Sequence, residues 1–115
     1  MSHLNILQQI LAHDSGVLSI EELNYRNTDV EENTIRESLH SLDEENLVTP
    51  LSVAGGDPDL PDTYWAVTPE GVEFLKQNGV YDEIAVLSEA DDALERSQRI
   101  KRIEAAGNRP DPGWF

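Results

Sequence analysis

The chain has 115 residues, 23 acidic against 8 basic, and a formal net charge of -15, enough for one domain with a modest core and too few for two independent ones. Its 38% hydrophobic content, set at regular spacings, excludes a disordered polyelectrolyte, and the absence of cysteine excludes a disulfide framework and thiolate metal sites. No apolar run approaches the roughly 18 residues of a spanning helix, and the opening residues lack a leader pattern, so a cytoplasmic location away from membranes is expected.

Leu4, Leu7, Ile10 and Leu11 recur at helical spacing and predict an amphipathic helix ending near His13, where Asp14, Ser15 and Gly16 stop it. Ser19 followed by Glu22 is a capping box that opens a second helix through about Arg26, with Leu23 inward. After a turn at Asn27, Thr28 and Asp29, Ile35, Leu39 and Leu42 form one stripe of a helix from about Glu32 to Glu45, closed by Asn46 in the left-handed conformation. Residues 47–53 and 63–67 are expected to pair as strands across a Gly-, Pro- and Asp-rich loop at 54–62 that is too long for a tight hairpin.

Thr68, Pro69 and Glu70 form a strong helix start: a hydroxyl at the N-cap, proline where no amide hydrogen is needed, and an acid in the first turn. This helix should run to Asn78, apolar through Val72, Phe74 and Leu75, and stop at Gly79. From Tyr81 a long helical pattern carries Ile84, Leu87, Leu94, Ile100 and Ile103, with Ser97 placed to cap a second segment if the helix breaks there. Residues 107–115 cannot be helical.

The order helix, turn, helix and two-stranded wing between Ile20 and Thr68 resembles winged helix-turn-helix DNA-binding domains. Within it, Asp29 to Val48, with Thr34-Ile35-Arg36, Leu39 and Glu45-Asn46-Leu47-Val48, resembles the recognition helix and first wing strand of archaeal winged-helix transcriptional regulators, Asn46 standing where they usually carry glycine. Tyr64 to Gly71 is similar to their second wing strand and the helix after it, and Val80 to Leu87 with Arg99 to Glu104 to the C-terminal helix of haloarchaeal members. The resemblance implies a mainly α fold with a small β-hairpin wing: a winged domain over residues 1–79, a C-terminal helical dimerisation extension over 80–106 and an irregular tail over 107–115. It also implies a DNA-binding transcriptional regulator that reads duplex DNA as a homodimer.

The acids run from Asp14 to Asp111 without forming a tail, a composition that resembles cytoplasmic proteins of salt-accumulating haloarchaea or their viruses. In molar salt the Debye length falls to about 3 Å and such a surface stops repelling itself. The alternatives are an acidic partner-binding surface or nucleic-acid mimicry.

With Ile35, Leu39 and Leu42 inward, a step of about 100° per residue turns Asn33, Arg36, Glu37, His40, Ser41 and Glu44 outward. Arg36 suits guanine, Asn33 adenine, Glu37 a cytosine amino group, and Thr34, Ser41 and His40 phosphates or base edges. Arg26 and Thr28 near the interhelical turn, and the amides of Gly55 and Gly56 in the wing, complete the expected DNA-facing set. Asp57, Asp59 and Asp62 put negative charge where a wing normally offers cations. Either the protein works at high salt, where phosphate contacts contribute little, or the fold serves protein contact.

Arg96, Arg99 and Arg102 fall along one helical side, either to flank DNA in a dimer or to form i, i+4 pairs such as Asp92–Arg96 and Glu95–Arg99. Ile84, Leu87, Leu94, Ile100 and Ile103 form a stripe that suits packing against a twin, with folding back onto the same chain as the alternative. Trp114 and Phe115 read either as anchors into a partner groove or as a frayed tail. Nothing marks an enzyme: there is no phosphate loop or nucleophilic cysteine, His3, His13 and His40 have no metal-ligand spacing, His13-Asp14 reads as a local cap, and no cofactor is expected.

Overall fold

Each helix start written in the sequence is used in the computed structural model, which describes residues 3–53 and 57–114. The first helix, α1, spans His3–Ala12 and buries Ile6, Leu7 and Ile10. A short strand, β1 (Val17–Leu18), precedes α2 (Ile20–Arg26), whose capping box between Ser19 and Glu22 is fully formed. Helix α3 covers Glu32–Glu44. Asn46 lies beyond its end at φ 62°. The Leu47 amide returns to the Leu42 carbonyl at 2.9 Å and the Asn46 amide to that of Asp43 at 3.0 Å, the paired bonds of a Schellman close.

Strands β2 (Val48–Ser52) and β3 (Thr63–Val67) pair antiparallel, Val48 opposite Val67 and Ser52 opposite Thr63. The sheet has a third strand that the sequence pattern did not disclose: β1 pairs with β3 through Val17–Ala66 and Leu18–Trp65, giving the order β1-β3-β2. Two residues are too few to show a period. Helix α4 (Pro69–Gln77) starts on the Thr68 hydroxyl, which accepts the Gly71 amide at 3.1 Å and donates to the Asn46 carbonyl at 2.6 Å.

Alternation along β3 sends side chains to both faces of the sheet. Trp65 and Val67 join Leu18, Leu23, Ile35, Leu39, Leu42 and Leu75 in the main core. Tyr64 and Ala66 point the other way, where Val17, Ile100 and Ile103 form a second cluster with them.

The break allowed for at Ser97 occurs, and the second face of the sheet corrects one expectation. The helical pattern after Tyr81 is divided into a 3-10 turn (Tyr81–Glu83), α5 (Ile84–Ala93) and α6 (Gln98–Ala105). Leu94 is extended at the break, the Arg96 guanidinium donates to the carbonyls of Asp91 and Leu94 at the end of α5, and Ser97 caps α6 through the Ile100 amide. Ile100 and Ile103, assigned to a dimer contact on the sequence, are instead buried at 2% exposure within their own chain, because the outward face of β3 would otherwise lie bare. Ile84, Leu87 and Leu94 remain half-buried along α5 and its end.

Residues 107–114 are irregular yet pinned: Arg109 reaches the buried Glu22, and the Trp114 indole donates to the Val67 carbonyl at 3.0 Å. Trp114 is thus tied to its own sheet. Phe115, Gly55 and Gly56 lie outside the described residues.

Candidate nucleic-acid interface

The direction of α3 is set on three sides. Ile35, Leu39 and Leu42 are at 0% exposure and fix its inner face. The turn before it is held by amide side chains: Asn27 donates to the Leu23 carbonyl at 2.7 Å and exchanges hydrogen bonds with Gln9 at 2.7 and 3.1 Å, and Asn24 donates to the Val30 carbonyl at 2.8 Å. The buried Asn27 uses both amide hydrogens and its carbonyl oxygen, and with Gln9 and Asn24 it specifies the angle between α2 and α3. Beyond α3, the Schellman close hands the chain directly to the wing.

The outward face carries Asn33, Thr34, Arg36, Glu37, His40 and Ser41, all exposed, with Thr28 exposed in the preceding turn. Arg36 touches Glu32 at 3.2 Å through Nη2, leaving Nε and Nη1 available. The His40 ring stands edge-on to Trp65, centroids 6.0 Å apart, which orients it beside the sheet. Arg26 is a correction: its side chain is 6% exposed, with Nε on Asp91 at 2.7 Å and Nη1 on the Glu22 carbonyl at 3.0 Å, so it braces α2 against α5 and does not face outward.

The late arginines depart from the i, i+4 pairing that their spacing suggests. Arg96 pairs with Asp91 and Glu104, Arg99 with Glu21 at 2.7 and 3.0 Å, and Arg102 with Asp57 and Asp59 at 3.3 and 3.5 Å. None of these is an i, i+4 pair. Arg96 joins the end of α5 to α6, and Arg99 and Arg102 tie α6 to α2 and to the wing. A groove of about 260 Å³ runs between the start of α3, the returning wing segment and α6, lined by Arg36, Glu32, Asp59, Asp62 and Arg99 among others.

Behind the sheet lies a buried ion network. Glu22, at 0% side-chain exposure, takes two guanidinium nitrogens of Arg109 at 2.9 and 2.8 Å and the Ser19 amide at 3.1 Å. Burial acts to raise the Glu22 carboxyl, but the hydrogen bonds and charge of Arg109, then Ser19 and His13, outweigh it and hold the group below its ordinary 4.5. His13 lies below its ordinary 6.5, first through burial and then through Arg109 and Arg26, against the pull of Glu22 and Asp91. Its Nδ1 accepts the Ser15 amide at 3.1 Å, closing the helix end as the sequence implied.

His13, Glu22 and Glu104 bring one ligand atom each within 4.8 Å of one another, the only such set among the described residues. Both Glu22 oxygens are already taken by Arg109, and Glu104 holds Arg96 at 3.1 Å, so the donor set fits an ion network better than a cation site.

Both lowered values have the same sign. Each group in its folded setting resists protonation relative to the unfolded chain, so its contribution is fully present at neutral pH and is lost as pH falls. The His13 part is expected to go first, from about pH 6.5 downward, and the Glu22 part below about pH 4.5. Denaturant midpoints measured across this range should fall in two stages, and His13→Asn should remove the first. A flat profile between neutrality and pH 5 would contradict the burial of His13.

No protein-family model and no curated protein matches the chain. Among solved structures, it is similar to a protein with a GntR superfamily winged-helix-turn-helix domain from Halomicrobium mukohataei: 41% identity, 94% of this chain and 77% of that one covered, and a TM-score of 0.88. The chain belongs to the GntR superfamily of winged helix-turn-helix proteins.

In this GntR-superfamily fold the positioning residues were not visible as such beforehand. Gln9, Asn24 and Asn27 set the helix-turn-helix angle, Trp65 seats His40, and Glu22 with Arg109 ties the tail to α2. The one sequence signal for them was apolar periodicity broken by amides: Gln8 and Gln9 between Ile6-Leu7 and Ile10-Leu11 on α1. No helix among the described residues is long and apolar enough to cross a membrane.

Proposed function

We propose that this GntR-superfamily protein is a transcriptional regulator that reads duplex DNA with α3 as a homodimer adapted to high salt. The observation that carries the reading is the exposed row Asn33, Arg36, Glu37, His40 and Ser41 on a helix whose opposite face is locked in the core beside a wing. Arg36 is the strongest base-reading candidate, since its free guanidinium edge matches the two acceptors of a guanine. Thr34 and Thr28, with the amides of Gly55 and Gly56, suit the sugar-phosphate backbone.

Dimerisation is proposed through α5, which has no buried residue and presents Leu87 and Leu94 half-buried with Val86 at 69% exposure. Two-fold symmetry then sets half-sites one helical turn, or a multiple of it, apart. Salt adaptation is supported by the dispersed acids and by the pairing of every arginine with a carboxylate. The acids exposed on α3 and the wing, including Glu32, Glu37, Glu44, Asp57 and Asp59, favour a second reading, a protein-interaction module on the same scaffold.

Arg36→Ala tests the first reading. It is expected to cost about 1–3 kcal/mol of affinity for a preferred duplex, roughly 5- to 150-fold, and to relax the preference at one base position. Fluorescence anisotropy with wild type and variant, in molar KCl where the surface is screened, checks this. Unchanged affinity and preference would favour the protein-interaction reading.

A further inference from the structure

The wing, from Val48 to Val67, contains no lysine or arginine, whereas its described tip offers Asp57, Asp59 and Asp62. The cations that a backbone-contacting wing needs stand next to it on another element. Ile100 and Ile103 press α6 onto the second face of the sheet, and this orientation places Arg99 and Arg102, three residues apart, on the side toward the wing and α2. Arg99 lines the same groove as Arg36 of the reading helix.

Neither guanidinium is spent. Among the described residues Arg102, 54% exposed, uses only Nη2, on Asp57 and Asp59, so the N–H groups of Nε and Nη1 are unengaged there, and Arg99, 41% exposed, keeps Nη1. The carboxylates hold each planar fork in place, and a fork held in advance loses less side-chain freedom when a phosphate arrives.

We propose that Arg99 and Arg102 of α6 are phosphate-contacting residues of the DNA interface, supplying from the C-terminal helix what the wing lacks. Resting on the DNA-reading proposal above, the idea gives the wing acids a role: they orient donors that belong to another part of the chain. A guanidinium fork suits this place better than a lysine would, because its paired N–H bonds to a phosphate are directional and do not rely on unscreened charge alone.

The test is the salt dependence of duplex binding by the full chain, with a mixed-sequence duplex and a selected one as probes. Each of Arg99→Gln and Arg102→Gln should lower the slope of log K against log salt by about 0.9 and weaken both duplexes by the same factor. Arg102→Lys should restore most of the slope. The double variant Asp57→Asn with Asp59→Asn, which keeps an acceptor oxygen for the Arg102 fork while removing two negative charges that repel the phosphates, should bind as tightly as wild type or more so. If Arg102 merely braces the wing, that aspartate variant will instead reproduce the loss, and the proposal falls. It falls equally if the slopes are unchanged while Arg36→Ala still erases sequence preference; in that case the reading by α3 survives. A wild-type protein that binds neither duplex overturns both.

Discussion

Replacing Arg109 with alanine is expected to destabilise the protein by about 3–5 kcal/mol, because it strands a carboxylate in a place without water. Glu22 is fully buried, and its charge is answered by two nitrogens of Arg109 and by Ser19. Arg109 also donates to the Val17 carbonyl at 2.9 Å and lies 4.8 Å above the Tyr64 ring, so one side chain closes β1, α2 and the second core together. Against a typical total of about 5–15 kcal/mol, such a loss is a large share. The denaturant midpoint should drop with little change in slope. Arg109→Gln combined with Glu22→Gln should cost less than the sum of the two single changes, since neither partner is then left charged and alone. A loss below about 1 kcal/mol for Arg109→Ala would mean that the pair is not desolvated as described.

Gly71→Ala is the second large effect. A Cβ on Gly71 would lie 2.3 Å from the Leu47 carbonyl oxygen and 2.6 Å from Val67 Cγ1. The first of these is backbone, and it is held: Leu47 O accepts the Thr68 amide at 3.0 Å, where β3 hands over to α4. The added methyl must push α4 away from the sheet and drag Val72 and Leu75 with it. The cost is expected at about 3 kcal/mol or more, at or beyond the upper end for overpacking. Gly79→Ala is the matched control: its Cβ would meet open space, and only the positive φ of 70° penalises it, by about 1–2 kcal/mol. Thermal or urea unfolding of the two variants side by side checks the ranking, and equal losses would contradict the clash.

Local signals were legible in the sequence wherever one residue type had one physical use. Ser19 with Glu22, Thr68 with Pro69, and Asn46 at a helix end each carry a single local solution, and each is used. The stripe Ile35, Leu39 and Leu42 is enough by itself to fix which residues of α3 face outward. Long-range partnerships were not legible. The pair Val17-Leu18 is too short to announce a strand, and only the free edge of β3 explains it. Ile100 and Ile103 spell an amphipathic helix but do not say what covers it; the answer lay in the alternation of Tyr64 and Ala66 thirty-odd residues earlier. The spacing of Glu95 and Arg99 suggests a helix-surface pair, whereas the acids that Arg99 and Arg102 meet lie on α2 and the wing. Truncating the chain after Gly79 would accordingly strip the second core as well as α5, so function is better probed by point substitutions.

The most direct measurement is a selection of random duplex DNA by the purified full chain in about 2–3 M KCl, where the acidic surface is screened. Enrichment of a two-fold symmetric motif, lost with Arg36→Ala while the variant remains folded, is the expected result. No enrichment by folded wild-type protein at that salt would contradict DNA reading by α3.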